Sequence, residues 1–468
     1  MPIPKVILYN PRSVFFTMPL ALLALGSYID PEKFKVIILD GRIDDEHSVL
    51  QACDGAIFFG VTVLTGAPIT DALHITRKVK QKFRALPVAW GGWHPSLFPE
   101  ETLEEDSIDI VVNGQGEIPF AALLEAILDG RCFENINGIL FKRNGIIITA
   151  PPQQMANIES FPKLNYDLIP VERYYALKGR RQLDYISSQG CRFRCSFCAD
   201  PFMYKRGWYG FSPRRMGEEL EELWHKYHFD DVNFQDETFF TSRDRVEGIA
   251  REILKRKLSF TWFGTMRADQ GARMDEELYS LCKSAGLRKV MIGVEAGSQK
   301  MMDWMKKDIK LTQVYESAEK CRRHGIAVIF NIILGFPHET EESIRESIRV
   351  SWKLRRMSAD FELGIFYFKP YPGNEIAGQL LNEGYKFPKG LEAWAAFDYI
   401  GSSNDWISPE QYGRIEAFKF YQRIGWNRSN ALLAPVKKMA QWRCKNNSYA
   451  LPVEKLIYEW FRPPARIS

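Results

Sequence analysis

At 468 residues the chain exceeds what one ordinary hydrophobic core holds, so two or three domains are expected. A composition that is 46% hydrophobic and 26% charged, without a low-complexity tract, is that of a globular protein. The formal net charge is only +4, with Lys and Arg interspersed among acids, which argues against nucleic-acid binding. No apolar run reaches the roughly 20 residues that a membrane span needs. The start lacks the charged-then-apolar layout of a secretory signal, and a cytoplasmic enzyme is the expectation.

In chain order, β-rich runs at 5–9, 36–39, 55–63, 87–90 and 108–112 alternate with helical patterns at 20–28, 68–83 and 119–128. The apolar stretch 18–29 is too short to cross a bilayer and reads as a buried helix. Short strands alternating with helices predict an open parallel sheet. Around 150–170 the pattern breaks into a Pro-, Gln- and Asn-rich stretch holding Pro151, Pro152, Pro162 and Pro170, read as a linker. A second series follows, with strands at 183–188, 231–235, 259–266, 290–294, 328–334 and 362–367. Helical patterns at 213–225, 243–256, 275–285, 312–324 and 341–353 separate them. Six strand–helix steps predict a partial β/α barrel. Past Pro372 the pattern is helical and irregular, with Trp394, Trp406, Trp426, Trp442 and Trp460. The expected domains are 1–150, a linker at 151–180, the barrel at 181–375 and a helical region at 376–468.

Of the eight cysteines, Cys53, Cys132, Cys282, Cys321 and Cys444 are scattered and read as free buried thiols. The other three, Cys191, Cys195 and Cys198, form C-x3-C-x2-C just after a predicted strand, at the end of the barrel where such folds do chemistry. A closely spaced loop lets three thiolates converge on an iron–sulfur cluster. Three protein ligands leave one iron open to a small molecule. Structural zinc would need a fourth ligand, and the next histidine along the chain is His225.

With Phe197 before the last cysteine, the segment matches C-x3-C-x-aromatic-C and resembles the signature of the radical SAM superfamily. That resemblance implies a 4Fe-4S cluster held by Cys191, Cys195 and Cys198, with S-adenosylmethionine (SAM) chelating the free iron. Electron transfer into the sulfonium would then release a 5′-deoxyadenosyl radical. Phe197 would pack near the adenine. Later segments fit the same family in order, each ending a predicted strand. Asp236 and Glu237 would meet the methionyl amine. Arg267 follows in Gly264–Asp269, and Glu295 and Ser298 lie in the stretch that would face the ribose and carboxylate. Gly335 opens Gly-Phe-Pro-His-Glu-Thr, and Tyr371-Pro372-Gly373 follows the sixth strand.

The first domain carries Gly91-Gly92-Trp93-His94 and Gly114-Gln115-Gly116-Glu117 at strand ends, where glycines let backbone approach a large ligand closely. This resembles the cobalamin-binding domain of a large radical SAM subgroup. Asn10 after the first strand, and Thr62 and Val63 after the third, complete the implied corrinoid contacts. D-x-H-x-x-G, the motif of proteins that ligate cobalt through histidine, is missing: His47 follows Asp45, but no glycine stands in place. The implied fold is α/β, with a Rossmann-like cobalamin-binding domain, a partial (β/α)6 radical SAM barrel and a small, mainly helical C-terminal region.

The resemblance implies cobalamin-dependent methyl transfer to an unactivated carbon of a small molecule, a lipid, tetrapyrrole or aromatic natural product. The implied electron source is an external one-electron donor such as flavodoxin or ferredoxin. Oxidative cyclisation or rearrangement on the same scaffold is an alternative, and modification of RNA or protein is a third. The C-terminal cations Lys437, Lys438, Arg443 and Lys445 bear on that third reading. Beyond the cluster ligands no residue is marked as catalytic; Tyr367, Lys369 and Tyr371 are as readily packing residues.

Overall fold

The computed structural model describes residues 3–426, 434–452 and Glu454, so Trp460 lies outside the described residues. Val- and Ile-rich runs form Lys5–Asn10 (β1), Lys35–Asp40 (β2), Ala56–Thr62 (β3), Val88–Gly91 (β4) and Ile110–Val112 (β5). These five pair in parallel, as alternation with helices predicts. Ile139–Arg143 (β6) and Ile146–Thr149 (β7) extend the sheet antiparallel, giving the order β2-β1-β3-β4-β5-β6-β7. This hairpin was not among the predicted strands. Its signal was Asn144-Gly145, both at positive φ in the turn.

The chain steps from β1 to β2 and then crosses back to β3, so a crevice opens beyond the carboxyl ends of β1 and β3. Asn10 and Thr62 end those two strands. The helix Pro68–Lys82 buries Ile69, Ala72, Leu73, Ile75 and Val79 against the sheet. Within that core the Trp90 indole donates to Thr76 Oγ1 at 2.9 Å.

Two compact units divide the chain: Met1–Asp231 with Pro370–Tyr399, and Val232–Lys369 with Ile400–Ser468. The first unit also contains Gln182–Tyr185 (β8) and the two-stranded ladder of Ser188–Gly190 (β9) with Trp208–Gly210 (β10). The expected helical region 376–468 is therefore shared between units. The helix Leu391–Ala395 places Leu391 and Trp394 in the core of the first unit. Trp394 is fully buried, with its ring 4.5 Å from that of Phe98 and 5.8 Å from that of His94. That indole could not be left in water, which decides the segment's side.

In the second unit, Asp231–Phe234 (β11), Thr261–Arg267 (β12), Leu287–Glu295 (β13), Ala327–Leu334 (β14) and Phe361–Tyr367 (β15) follow one another in sheet order as in chain order. β12 to β15 are parallel. Amphipathic helices at Arg243–Lys255, Glu276–Ser284, Leu311–Arg323 and Glu341–Arg355 connect them. Ser242, Asp275 and Thr340 cap three of these through their side chains, each satisfying a first-turn N–H. With β8 and the helix Pro213–Tyr227, the six strands and five intervening helices expected from residue 183 onward are present.

Cys53, Cys282, Cys321 and Cys444 are buried thiols, pushed up to about 12 by burial. Cys132 departs from the expectation and is exposed. Arg443 is buried and donates to the carbonyls of Ser448, Ala450 and Leu451, so this C-terminal cation closes a chain turn. No helix among the described residues is long and apolar enough to cross a membrane. Trp394→Ala should lower unfolding stability by about 3–5 kcal/mol. It should also speed amide exchange in β3 and β4, measured by mass spectrometry.

Candidate functional site

Strand β8 delivers the chain to the cysteine loop, and the β9–β10 ladder closes that loop at its base. Gly190 pairs with Trp208 there. Gly190 has φ +88°, and a Cβ on it would stand 2.4 Å from the Gly207 carbonyl oxygen, so no side chain fits. Within the loop, Cys198 N donates to Cys195 O at 3.2 Å.

Two further bonds come from the segment after the sixth strand. Asn374 Nδ2 donates to Phe197 O at 2.9 Å, and Ile376 N donates to Ser196 O at 3.1 Å. The same Asn374 caps the helix Glu375–Asn382 through Oδ1, which accepts from Ala377 N at 2.7 Å. Gly373, at φ +80°, lies so close to the Phe202 ring that a Cβ would come within 2.7 Å of it. Asn374 and Ile376, which follow the Tyr371-Pro372-Gly373 motif, therefore brace the cysteine loop within the first unit.

Cys195 is buried, while Cys191 and Cys198 are partly exposed. Desolvation raises the Cys198 thiol well above its usual range, with Asp200, Cys195 and Cys191 adding repulsion. Burial likewise raises the Asp200 carboxyl. Sequence reasoning passed over Asp200; its position two residues beyond Cys198 was the available signal. Among the described residues no three His, Cys, Asp or Glu side chains stand as a preassembled metal site. The thiols are a linked donor set on one braced loop, and their chemistry fits an iron–sulfur cluster, which binds them as thiolates.

The glycine-rich loops of the first unit pack on each other at the carboxyl ends of β3, β4 and β5. Val63 N donates to Gly91 O at 2.8 Å, and His94 N to Val63 O at 3.0 Å. Gly92 has φ +93°; a Cβ there would meet Thr62 Oγ1 at 2.9 Å and Val63 N at 3.0 Å. Gly114 N donates to Ser96 Oγ at 2.9 Å, yet the space around Gly114 is open, as close approach of a large ligand requires. Gly116 precedes the helix Glu117–Leu128, and burial raises the Glu117 carboxyl.

Two contacts link these loops to the cysteine region. Gln115 Nε2 donates to Gln189 Oε1 at 2.7 Å, while Gln115 Oε1 accepts from Ala156 N at 2.7 Å. Trp93 meets Tyr204 edge-on with ring centroids 6.2 Å apart. Gln115 stands within the Gly114–Glu117 motif, where nothing local in the sequence indicates its partner. Asn10 donates through Nδ2 to Asp40 Oδ2 at 2.9 Å.

His94 is placed otherwise than a ligand-facing residue would be. Its ring is fully buried beside Phe98 and Trp394, and Nδ1 lies 3.3 Å from Thr65 Oγ1. Nε2 has no partner among the described residues and is shut in the core. The open glycines and the enclosed histidine suit a corrinoid whose cobalt takes no histidine from this chain.

In the second unit, the carboxyl ends of β11 to β14 carry the remaining candidates. Asp236 is buried and Glu237 partly so. Next to them, Thr238 Oγ1 donates to Gln270 Oε1 at 3.1 Å, and that same oxygen accepts from Arg267 N at 2.9 Å. Arg267 is buried; its Nε donates to Asp269 Oδ1 at 3.0 Å and its Nη2 to the Lys307 carbonyl.

Glu295 is a non-glycine residue at φ +66°, and the β13–β14 register shifts between Gly293 and Glu295. The irregularity turns the carboxylate back over Gly293, where Lys307 Nζ meets it at 2.7 Å. Both side chains are buried. Lys307 had no sequence signal, since it follows a short helix in an ordinary charged turn.

Ser298 precedes the helix Gln299–Trp304 without a side-chain capping bond. Gly335 N and Phe336 N both donate to Glu339 Oε2, at 2.7 and 3.2 Å. Asn404 Nδ2 donates to Gly335 O at 3.0 Å. Arg267 and Glu295 are thus joined through Lys307, and Gly335 is held by Glu339 and Asn404.

A family model for the radical SAM superfamily matches residues 185–350, and one for the B12 binding domain matches residues 10–124. An uncharacterized methyltransferase of Pyrococcus horikoshii is 30% identical over 365 residues, 76% of this chain and 77% of that protein. An anaerobic magnesium-protoporphyrin IX monomethyl ester cyclase of Synechocystis is 23% identical over 71% of this chain and 67% of that one. Among solved structures, the radical S-adenosylmethionine methyltransferase TsrM from Kitasatospora setae, with cobalamin and cluster bound, superposes with a TM-score of 0.69. It shares 20% identity over 81% of this chain and 75% of that one.

Burial holds the His94 imidazole neutral, its pKa pushed down to about 4. The unfolded chain takes up that proton near pH 6.5. Stability is therefore full above about pH 6.5 and falls as pH drops towards 4, by up to about 3 kcal/mol for this group. His94→Gln should remove that slope from denaturation midpoints measured between about pH 7 and 4; an unchanged slope would place the acid sensitivity elsewhere.

Proposed function

Because this chain belongs to the radical SAM superfamily and carries a B12-binding domain, we propose that it transfers a methyl group to an unactivated carbon of a small-molecule substrate. When bound, the cluster and SAM supply a primary-carbon radical, and the corrinoid supplies a transferable methyl group. The corrinoid is assigned to residues 1–150 and the radical chemistry to residues 181–375.

The observation that carries this reading is the Gln115–Gln189 hydrogen bond. It joins the Gly114–Glu117 loop to the strand ending at Gly190, immediately before Cys191. A corrinoid held by that loop and a cluster held by the cysteines would share one rigid support. The chain's own residues then have distinct tasks. Cys191, Cys195 and Cys198 ligate iron, and Phe197 lies against the adenine. Asp236 and Glu237 receive the methionyl amine. Arg267 and Ser298 face a SAM carboxylate or ribose oxygen, the Glu295 carboxylate accepts from a ribose hydroxyl, and Gly335 lines the same strand ends. Thr62, Val63, Gly91, Gly92, Trp93, Gly114, Gly116 and Glu117 form the corrinoid cradle, with Asn10 at its rim.

The substrate class proposed is a lipid, tetrapyrrole or aromatic natural product, and the electron comes from an external donor such as flavodoxin or ferredoxin. A reducing cytoplasm suits a chain whose eight cysteines are all free. The similarity to the Synechocystis cyclase favours, as second reading, oxidative cyclisation on the same machinery.

Anaerobically reconstituted protein should carry about four irons per chain, together with stoichiometric corrinoid. Cys195→Ala should lose both the cluster and SAM cleavage. In turnover with substrate, S-adenosylhomocysteine should appear beside 5′-deoxyadenosine. Turnover that yields 5′-deoxyadenosine alone would exclude methylation in favour of cyclisation. A protein that takes up zinc and no iron would overturn both readings.

A further inference from the structure

The second unit contains a cavity of about 520 Å³ lined by Ala327, Arg355, Asp360, Leu363, Gln422 and Trp426, together with Ala359, Glu362 and Arg423. It lies at the amino ends of β14 and β15, where Ala327 and Phe361 begin those strands. The Gly335 loop leaves the opposite end of β14, eight residues along, a strand length of roughly 26 Å. The cavity is accordingly separate from the strand ends assigned to SAM.

Arg355 makes this cavity chemically unusual. It is buried, yet its partners are neutral: Nη1 donates to Ser358 O at 3.2 Å, Nη2 to Trp426 O at 3.1 Å, and the guanidinium lies 5.5 Å from the Trp426 ring centroid. A guanidinium has five N–H donors, so three remain uncommitted. Among the described residues no carboxylate reaches Arg355 within ion-pair distance. A buried cation lacking a counter-ion is unfavourable unless something anionic completes it. Desolvation accordingly lowers the Arg355 pKa to about 10, against a smaller raising effect of Glu362 and Asp360.

The surroundings limit what that anion can be. Glu362 is engaged by Lys289 at 2.9 Å. Of the two carboxylates in the lining, Glu362 is thus taken up by Lys289, and neither it nor Asp360 stands within ion-pair distance of Arg355. Ala327, Ala359, Leu363 and the Trp426 ring supply apolar wall. We propose that this cavity binds a small organic monoanion whose carboxylate pairs with Arg355 and whose apolar body lies along Leu363 and Trp426. The proposal is independent of the methyl-transfer reading, since it involves none of the residues assigned to cluster, SAM or corrinoid.

The test is thermal unfolding of the cluster-loaded chain titrated with hexanoate, with inorganic phosphate and hexylammonium in parallel. Hexanoate should raise the melting temperature saturably, by about 2–4 °C at roughly ten times its half-saturating concentration. Phosphate and hexylammonium should not. Arg355→Met, which keeps the apolar stem and removes the charge, should abolish the response. Should that variant fail to fold, Ala359→Trp adds bulk to the cavity lining with the charge retained and should abolish it as well. An equal response to phosphate, no response in the wild type, or a hexanoate response retained in either folded variant would overturn the proposal.

Discussion

Three thiols can share one cluster only if the loop that carries them is held in place from outside, because a loop of this length has too few internal bonds to hold itself. Here the β9–β10 ladder closes the base of the cysteine loop, and Asn374 and Ile376 grip its tip through the Phe197 and Ser196 carbonyls. Gly190 and Gly373 permit both approaches, since a side chain at either would strike its neighbour. The brace and the loop are far apart in sequence, so forming the site requires the first unit to be complete, including its late segment Pro370–Tyr399. Trp394 anchors that segment in the core. Packing energy at one tryptophan thereby supports geometry at the cysteines.

In the second unit, positioning is electrostatic as well as steric. Glu295 occupies a left-handed conformation that costs a non-glycine residue about 1–3 kcal/mol, and the buried Lys307 ammonium holds its carboxylate there. Losing either partner would strand a buried charge. Arg267 is fixed similarly, by Asp269 and by the Lys307 carbonyl. Side chains set this firmly would need no reorganisation on binding SAM as proposed, which is how preorganised sites gain their effect.

The glycine-rich loops proposed to hold a corrinoid follow a different principle. Its loops offer backbone and open space: Gly92 allows two loops to touch, and Gly114 leaves room beside them. The histidine in that motif is a core residue, wedged between Phe98 and Trp394. Gln115 carries the connection to the cysteine region through both ends of its amide. A neutral amide suits that place, as it can donate and accept at once without burying a charge.

Much of this was legible in the residues alone. Strand and helix periodicity reports local burial, so the two α/β series and their breaks could be read directly. The cysteine spacing is chemistry written within one loop, and so the proposed ligand set could be named from the sequence. Long-range partners were not. Lys307 beside Glu295, Asn374 beside Phe197 and Gln115 beside Gln189 are each ordinary residues in ordinary contexts, brought together only by chain crossings. The division of the C-terminal region was hidden for the same reason, since Trp394 buries itself against a sheet formed hundreds of residues earlier. Sequence determined which groups are available and the local element each occupies, because those depend on neighbours along the chain. Tertiary structure decided which groups face a site and which serve the core, because burial and hydrogen bonding are settled by neighbours in space.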